Sequence, residues 1–535
     1  MLFLLLFAVL LIVEEHLLFL WDKVLMDWED PVEYTHERFD PKSFPLSEED
    51  QTHFVKEYRK AYQADPPRLL VANWLPFALS RNCPLHGDVY NKIRDDLRPF
   101  RHVLLRFGFS EGVRVLQSLV DRAVREADEH EGRLQVLEIR DGAVVRKVPS
   151  MPRLMQHVVS PLSQLLPDLR IPWNSNDEPK VVRGRSDEVE IFSQLEGEEA
   201  HRRDLGGTSH LLHPWGKDFL FLSEDNGARA FLQGRCSGDP LYERWKDLHG
   251  FFKWGSSPIF TDALLPVLSE TKSRACGFAD LTVPANFYVM PGIRVSLGRL
   301  TKGIAPWEKK KDKIFWRGSS TGCLHTLAAF FGGKEGPGNF SCHRLRFVRF
   351  ANHPTRNALA DKTDVALNGP NQCLPNKGGA GIDMCKFLVG THRVGGSVSW
   401  QQFVNHKVIV DIEGNSFSER FFRFAVESGS VIVRIEKVFN DWWDGLFLPW
   451  VHFVPVKLDF SDWNENLSWV FQNPKEAKAM AERMQTDARR FLRIECQQCF
   501  VSRLLIEYAS LISGEEREDE TLRTSINGSD AALPE

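Results

Sequence analysis

The sequence carries no large excess of charge of one sign. Its 67 Lys and Arg stand against 72 Asp and Glu, for a net charge of −5. That balance excludes a surface built to grip nucleic acid. Cysteine is sparse: nine in 535 residues, too few for a disulfide scaffold, and an odd number. Only Cys496 and Cys499 form a Cys-x-x-Cys. They lie in an amphipathic helical pattern with no second pair nearby, so core packing or a disulfide is expected there rather than zinc. An Asp-x-Asp-type metal site is missing as well. The close acids Asp95-Asp96 fall in a helical pattern and those at 517–520 in an acidic tail, so no metal is expected. There is no internal repeat. The N-terminal apolar run, residues 1–13, is broken by Glu14, Glu15 and His16 before Leu17–Trp21. It is short for a membrane span and suits a signal peptide or signal anchor over 1–21. No basic residue precedes it to set an orientation.

What is present is ample apolar material, 43% of the chain with 11% aromatic. A chain of this length is expected to build two or three domains. Fifteen Trp serve cores first, although Trp also covers sugar and base faces. Sequons at Asn339, Asn466 and Asn527 are compatible with passage through a secretory lumen.

The pattern predicts a helix over 46–62 with Ser47 as N-cap, and a second over 88–100 closing at Pro99. Residues 183–213 read as a loop, Phe219–Leu222 as a buried strand, and 351–397, rich in Asn, Gly and Pro, as an extended insertion. The charged run 307–313 reads as a solvated connector at a domain boundary. From 407 the order is strand, helix, strand, then an extended run at 452–457, which implies a parallel sheet with crossover helices. Asn473-Pro474-Lys475-Glu476 reads as a capping box that opens one long amphipathic helix to about residue 512. The tail after Gly514 is acidic and polar, of disordered composition.

Two strand-to-turn junctions carry the chemistry. In DIEGNSFSER, residues 411–420, Gly414 allows a tight turn, Asn415, Ser416 and Ser418 open a helix, and Arg420 follows. A helix N-terminus at the carboxyl end of a parallel strand is a ready anion site, and arginine binds phosphate in a bidentate way. Helix capping alone is the plain alternative. A nucleophile-elbow reading makes Ser416 a nucleophile, with Ser418 where the last glycine would stand and His452 the one downstream histidine. The second junction, KIFWRGSSTG at 313–322, is also a strand running into glycine and hydroxyls. It is neither a Walker loop nor a Gly-x-Gly-x-x-Gly turn. Two hydroxyl-rich turns, each with an arginine, suit a diphosphate-linked donor better than a single serine nucleophile.

Taken in order, ALSRNCPLHGDVYNKIRDDLRPF, LPDLRIPWNSNDEPKVV, VPANFYVMPG, WRGSSTG, HRLRFV, DIEGNSFSERF and LPWVHFVPVKLDFSD resemble the capsule-associated protein and protein O-glucosyltransferase family of glycosyltransferases. The likeness covers most of residues 75–515. It implies an α/β fold of two facing Rossmann-like domains (GT-B type) and an inverting, metal-independent enzyme of the endoplasmic reticulum or Golgi. It also implies a UDP-sugar, commonly UDP-xylose or UDP-glucose, as co-substrate, with no separate cofactor, and a glycan or glycoprotein acceptor. Position by position, the resemblance makes Asp177 the catalytic base, and Ser319, Arg344, Gly414, Ser418 and Arg420 the donor-binding residues, with Arg346 an alternative to Arg344. An inverting transfer needs a carboxylate to take the acceptor proton and positive groups to hold the departing diphosphate. The expected division is an acceptor-side domain over 22–300, a nucleotide domain over 301–475, a helix packing back over 476–513 and a tail over 514–535. A relative without catalytic activity that binds glycans or proteins is the alternative from another class.

Overall fold

The computed structural model describes residues 39–62, 64–129, 134–183, 220–221, 227–254, 259–261, 263–289, 304–325, 342–373 and 383–514. The expected N-terminal signal segment, the loop from 184 onward, and the sequons at Asn339 and Asn527 lie outside these residues. Asn466 lies within a helix, and its side-chain amide donates to Pro455 O at 2.9 Å and to Asp462 Oδ2 at 3.2 Å.

The first part of the chain opens with α1 (Glu48–Tyr62), α2 (Asp88–Phe107) and α3 (Phe109–Glu129). Ser47 Oγ takes the Asp50 N–H, as expected of an N-cap. The second helix does not close at Pro99 but runs through it to Phe107. Proline there strips the bond to the carbonyl of Asp95, which lies on an exposed face, while Phe100 and Val103 beyond it are buried. The freed carbonyl lies on the exposed side of the helix, and core packing carries the helix on.

Strands β1 (Leu134–Arg140), β2 (Ala143–Arg146), β3 (Leu169–Asn174), β4 (Leu268–Ser269) and β5 (Leu281–Thr282) form a sheet in the order β2-β1-β3-β4-β5. β1 pairs antiparallel with both neighbours, whereas β3, β4 and β5 are parallel. This sheet is therefore mixed. The cause of the β1–β2 hairpin is local: Asp141 and Gly142 both take left-handed φ values, 50° and 70°, which a two-residue hairpin demands. Phe219–Leu222 contains a two-residue strand, Leu220–Phe221.

The second sheet comprises β6 (Lys311–Ser319), β7 (Thr363–Gly369), β8 (His406–Asp411), β9 (Val431–Ile435) and β10 (Val454–Val456). All its pairings are parallel, in the order β7-β6-β8-β9-β10. β9 is buried along its whole length, as a sheet covered on both faces requires. β6 begins at Lys311, inside the charged run read as a connector. The supposed insertion at 351–397 in fact supplies β7, whose Val365, Ala366 and Leu367 are fully buried, and a helix at Met384–Thr391.

The C-terminal helix is two helices, α4 (Pro474–Phe491) and α5 (Ile494–Ser513), broken at Leu492–Arg493. The expected capping box does not form: the Asn473 side chain donates back to Trp469 O at 2.9 Å and makes no cap bond to α4. α5 is buried on nearly all sides. Cys499 on α5 bonds Cys83, while Cys496 is free and buried. Each member of the Cys-x-x-Cys thus meets one of the two fates expected for the pair. The other disulfides are Cys236–Cys276, Cys323–Cys342 and Cys373–Cys385.

Candidate functional site

The strand order of the parallel sheet fixes where a ligand binds. From β6 the chain crosses to β7 on one side, then returns to β8 on the other. Connections leaving neighbouring strands in opposite directions open a crevice at their carboxyl ends. β6 ends at Ser319 and β8 at Asp411. The two turns singled out in the sequence, 318–322 and 412–419, therefore lie side by side at the topological switch point.

Arg344 joins them. It opens the helix His343–Ala351 and is 7% exposed. Its Nε donates to Glu413 O at 2.7 Å and its Nη2 to Ile412 O at 3.2 Å, both on the second turn. Its Nη1 donates to Thr321 Oγ1 at 2.6 Å and to Ser319 O at 3.2 Å on the first. Four bonds from five N–H groups leave one Nη2 hydrogen uncommitted. Arg346 points elsewhere, donating to Leu248 O at 2.7 Å and Leu458 O at 2.6 Å. Of the two candidates, Arg344 is the one between the turns.

Gly414 is favoured for a reason other than the one read from sequence. Its φ is ordinary, but a Cβ there would stand 3.0 Å from Arg344 Nη2 and 3.3 Å from Thr321 Oγ1. The helix after it begins only at Arg420, so Asn415 and Ser416 stay in the turn. Asn415 Oδ1 accepts from Gly322 N at 2.9 Å and from Gln372 Nε2 at 2.8 Å. Ser416 O accepts the Gly414 N–H, and Ser418 O accepts the Phe421 N–H, both at 3.1 Å. Ser416 and Ser418 are buried, and Ser319 Oγ lies 3.2 Å from Thr321 Oγ1. Arg420 reaches back over the first turn and donates to Arg317 O. Its guanidinium lies 5.9 Å from the ring centre of Trp316, which is fully buried and serves the core.

Two guanidiniums thus lie close together, Arg344 buried and Arg420 half-buried. Burial, and then the charge of Arg420, push the Arg344 guanidinium down to about 9. Burial lowers Arg420 as well. Among the described residues neither makes an ion pair with a carboxylate. Two like charges held together in this way favour a neighbouring anion, which would offset their repulsion.

Asp177 stands at the tip of the turn after β3, exposed. Asn174 shapes that turn, accepting from Asn176 N at 3.0 Å and donating to Glu178 O at 2.8 Å. Just beyond, buried Asp280 clamps the chain by accepting from Lys180 N and Val181 N, each at 2.9 Å. The charge of Asp177 acts on a residue of the second turn that the sequence reading missed. Glu419 is reachable by solvent at the mouth of the crevice but has protein on most sides. Burial, then the charge of Asp177, raise its carboxyl to about 7, and Arg420 and Arg344 pull it back. Glu419 therefore lies in the electrostatic field of both the acid of the first part and the arginines of the second. No sequence signal marks it apart from its place between Ser418 and Arg420.

The serine-nucleophile reading is not assembled. His452 Nδ1 accepts from Leu448 N at 3.0 Å, and its Nε2 lies 3.0 Å from Asp487 Oδ2 on α4. Both ring nitrogens are engaged away from Ser416. Among the described residues, no group of three or more His, Cys, Asp or Glu is arranged to hold a metal.

Beneath the site, burial pushes the Glu270 carboxyl up to about 8 against the Asn286 N–H it accepts at 2.8 Å, and pushes Glu413 up to about 8 as well. A carboxyl raised on folding lends stability that is complete below its ordinary value and is lost as pH rises through the raised one. Buried histidines such as His249 and His343, held low on folding, oppose this below their ordinary range, so the thermal midpoint should fall as pH rises from about 7 to 8. Glu270→Gln, which keeps the oxygen facing Asn286, should flatten that fall. An unchanged slope in calorimetry across this range would refute the assignment.

The model of glycosyl transferase family 90 matches residues 390–526, which hold the second turn and both C-terminal helices. A protein of Invertebrate iridescent virus 3 is 25% identical over 348 residues, 60% of this chain and 27% of that protein. Protein O-glucosyltransferase 2 of Danio rerio is 26% identical over 212 residues, 38% of this chain and 34% of that protein. The chain thus spans only about a quarter to a third of these two relatives. Protein O-glucosyltransferase 1 of Homo sapiens is 30% identical over 320 residues, 55% of this chain and 69% of that protein. Its likeness extends well beyond the matched segment, and with the two turns at the switch point of a parallel sheet it places the chain: this protein belongs to glycosyl transferase family 90, among the protein O-glucosyltransferase-like proteins.

Proposed function

We propose that this chain is an inverting, metal-independent glycosyltransferase. It moves xylose or glucose from a UDP-sugar to a hydroxyl of a glycan or protein, in the lumen of the endoplasmic reticulum or Golgi. The observation that supports the reading is the pair of neighbouring arginines at the switch point, buried Arg344 and half-buried Arg420, neither of which makes an ion pair among the described residues. They call for a polyanion, and a nucleoside diphosphate supplies one. The two sheets belong to domains that face one another in the GT-B manner, with the acceptor entering beside Asp177.

Asp177 takes the proton of the acceptor hydroxyl as its oxygen attacks the anomeric carbon. The bond to the diphosphate breaks on the opposite side, so the configuration inverts. The leaving charge is met by the free Nη2 hydrogen of Arg344, by Arg420, and by the hydroxyls of Ser319 and Ser418. Glu419, in the field of both Asp177 and the arginines, borders the space between base and leaving group. Four disulfides support an oxidising compartment. The N-terminal segment would deliver the chain there as a signal or membrane anchor. Among the described residues, no helix is long and apolar enough to cross a membrane.

UDP release by the purified chain, followed with a panel of UDP-sugars in EDTA, tests this. One of UDP-xylose and UDP-glucose should be turned over. Activity lost in EDTA and restored by a divalent cation would overturn metal independence. If no UDP-sugar binds or reacts, the chain is a relative without catalytic activity, and glycan binding is the next measurement.

A further inference from the structure

We propose that His249 and Gly250, which belong to the first part of the chain, are positioning residues of the donor site: they hold the two anion-binding turns in register and thereby set affinity for the diphosphate. This rests on the donor-site reading above.

Three glycine backbones meet there. Gly322 ends the first turn with φ +101°, a left-handed value that favours glycine. A Cβ on it would overlap the His343 ring and stand 2.6 Å from Gly414 O. On its other side lies Gly250. A Cβ on Gly250 would overlap Gly322 O and stand 2.6 Å from Cys323 Sγ. The first turn is therefore pressed between the second turn and Gly250, without room for a methyl group at either contact.

The neighbouring side chains close the arrangement. His249 stacks on His343, ring centres 3.8 Å apart and planes 12° from parallel, with both rings wholly buried. His343 Nε2 donates to Glu413 O at 2.8 Å, the carbonyl that Arg344 Nε also engages. Burial holds both imidazoles well below their ordinary range, so the rings meet uncharged. The Glu413 carboxyl accepts from Val438 N at 2.8 Å and Phe439 N at 3.1 Å. Phe439–Asn440 pairs in turn with Lys272–Ser273, which lies back in the first part of the chain. The two turns are thus held at both ends by the first part. A push at Gly250 passes through Gly322 to the turn carbonyls that aim Arg344. Neither His249 nor Gly250 lies in either turn, so their effect acts through the turns.

The test uses the full chain and UDP alone as the probe, with binding read by calorimetry. Gly250→Ala should weaken UDP by about tenfold or more, and should raise KM for the donor more than it lowers kcat. Gly112→Ala is the control for instability. There a Cβ would stand 2.7 Å from Leu104 Cα in the α2–α3 pair, so the thermal midpoint should fall while UDP affinity stays within about twofold. Should Gly250→Ala fail to fold, His249→Ala carries the same expectation, and His249→Phe, which keeps a flat ring on His343, should restore affinity. Wild-type UDP affinity in a folded Gly250→Ala or His249→Ala overturns the proposal, as does equal loss in Gly112→Ala. If the wild-type chain itself does not bind UDP, the donor-site reading fails, and the proposal fails with it.

Discussion

Asp177→Asn should lower transfer by about 10²- to 10⁴-fold, the usual worth of a positioned general base, and leave UDP affinity near wild type. Asparagine keeps the size and polarity of the turn that Asn174 shapes, so the change removes a proton acceptor and little else. The competing base is Glu419, held at about 7 by burial and by Asp177 itself. Removing the Asp177 charge eases ionisation of Glu419. In Asp177→Asn the Glu419 carboxyl should therefore titrate at lower pH. If Glu419 were the base, that variant would stay active with its pH profile moved to more acidic values, and Glu419→Gln would be the inactive one. Rates of UDP release across pH 5 to 9 for the two variants separate these cases. A residual rate above about a tenth of wild type in Asp177→Asn would remove Asp177 from the role of base.

The second sheet was legible because its strands are short apolar runs followed by glycine and hydroxyls, the local chemistry of a strand ending at a binding turn. Ser319, Gly414 and Arg420 were singled out in this way, and Arg344 by resemblance. β7 was missed because only Val365, Ala366 and Leu367 are apolar in a stretch of Asn, Gly and Pro; its pairing with β6 is a long-range fact. The hairpin at Asp141-Gly142 was there to be read, since that dipeptide between alternating apolar residues is a strong hairpin signal. The break at Leu492–Arg493 was not. Neither glycine nor proline marks it, and the bend is held by Arg493 Nη2 donating to Arg81 O at 2.7 Å and Asn82 O at 2.6 Å, beside the Cys83–Cys499 bond. Glu419 and Gly250 share that character. Their positions matter only because residues far apart in sequence are brought against them.

Arg503→Met should be the most destabilising single change outside the site. Arg503 lies on α5, 1% exposed, among the rings of Tyr90, Trp74, Tyr62 and Tyr58 at 4.3, 5.0, 5.5 and 5.6 Å. It donates to Glu507 Oε1 at 2.9 Å, Leu85 O at 3.1 Å and Tyr62 Oη at 3.0 Å. Glu507 is wholly buried and, among the described residues, keeps only the Arg101 ion pair, at 3.3 Å, once Arg503 is gone. Removing one partner of a buried pair costs about 3–5 kcal/mol, because the other charge stays in place without its counterpart. Methionine refills much of the volume, so the loss reports charge rather than a cavity. The double change Arg503→Met with Glu507→Gln should recover a large part of it, since no full charge is then stranded. Thermal unfolding of the three chains decides the matter. A double variant no more stable than Arg503→Met alone would mean that the aromatic cage, not the ion pair, holds α5 in place. UDP affinity of the folded protein should be unchanged in all three, because α5 contributes no residue to either turn.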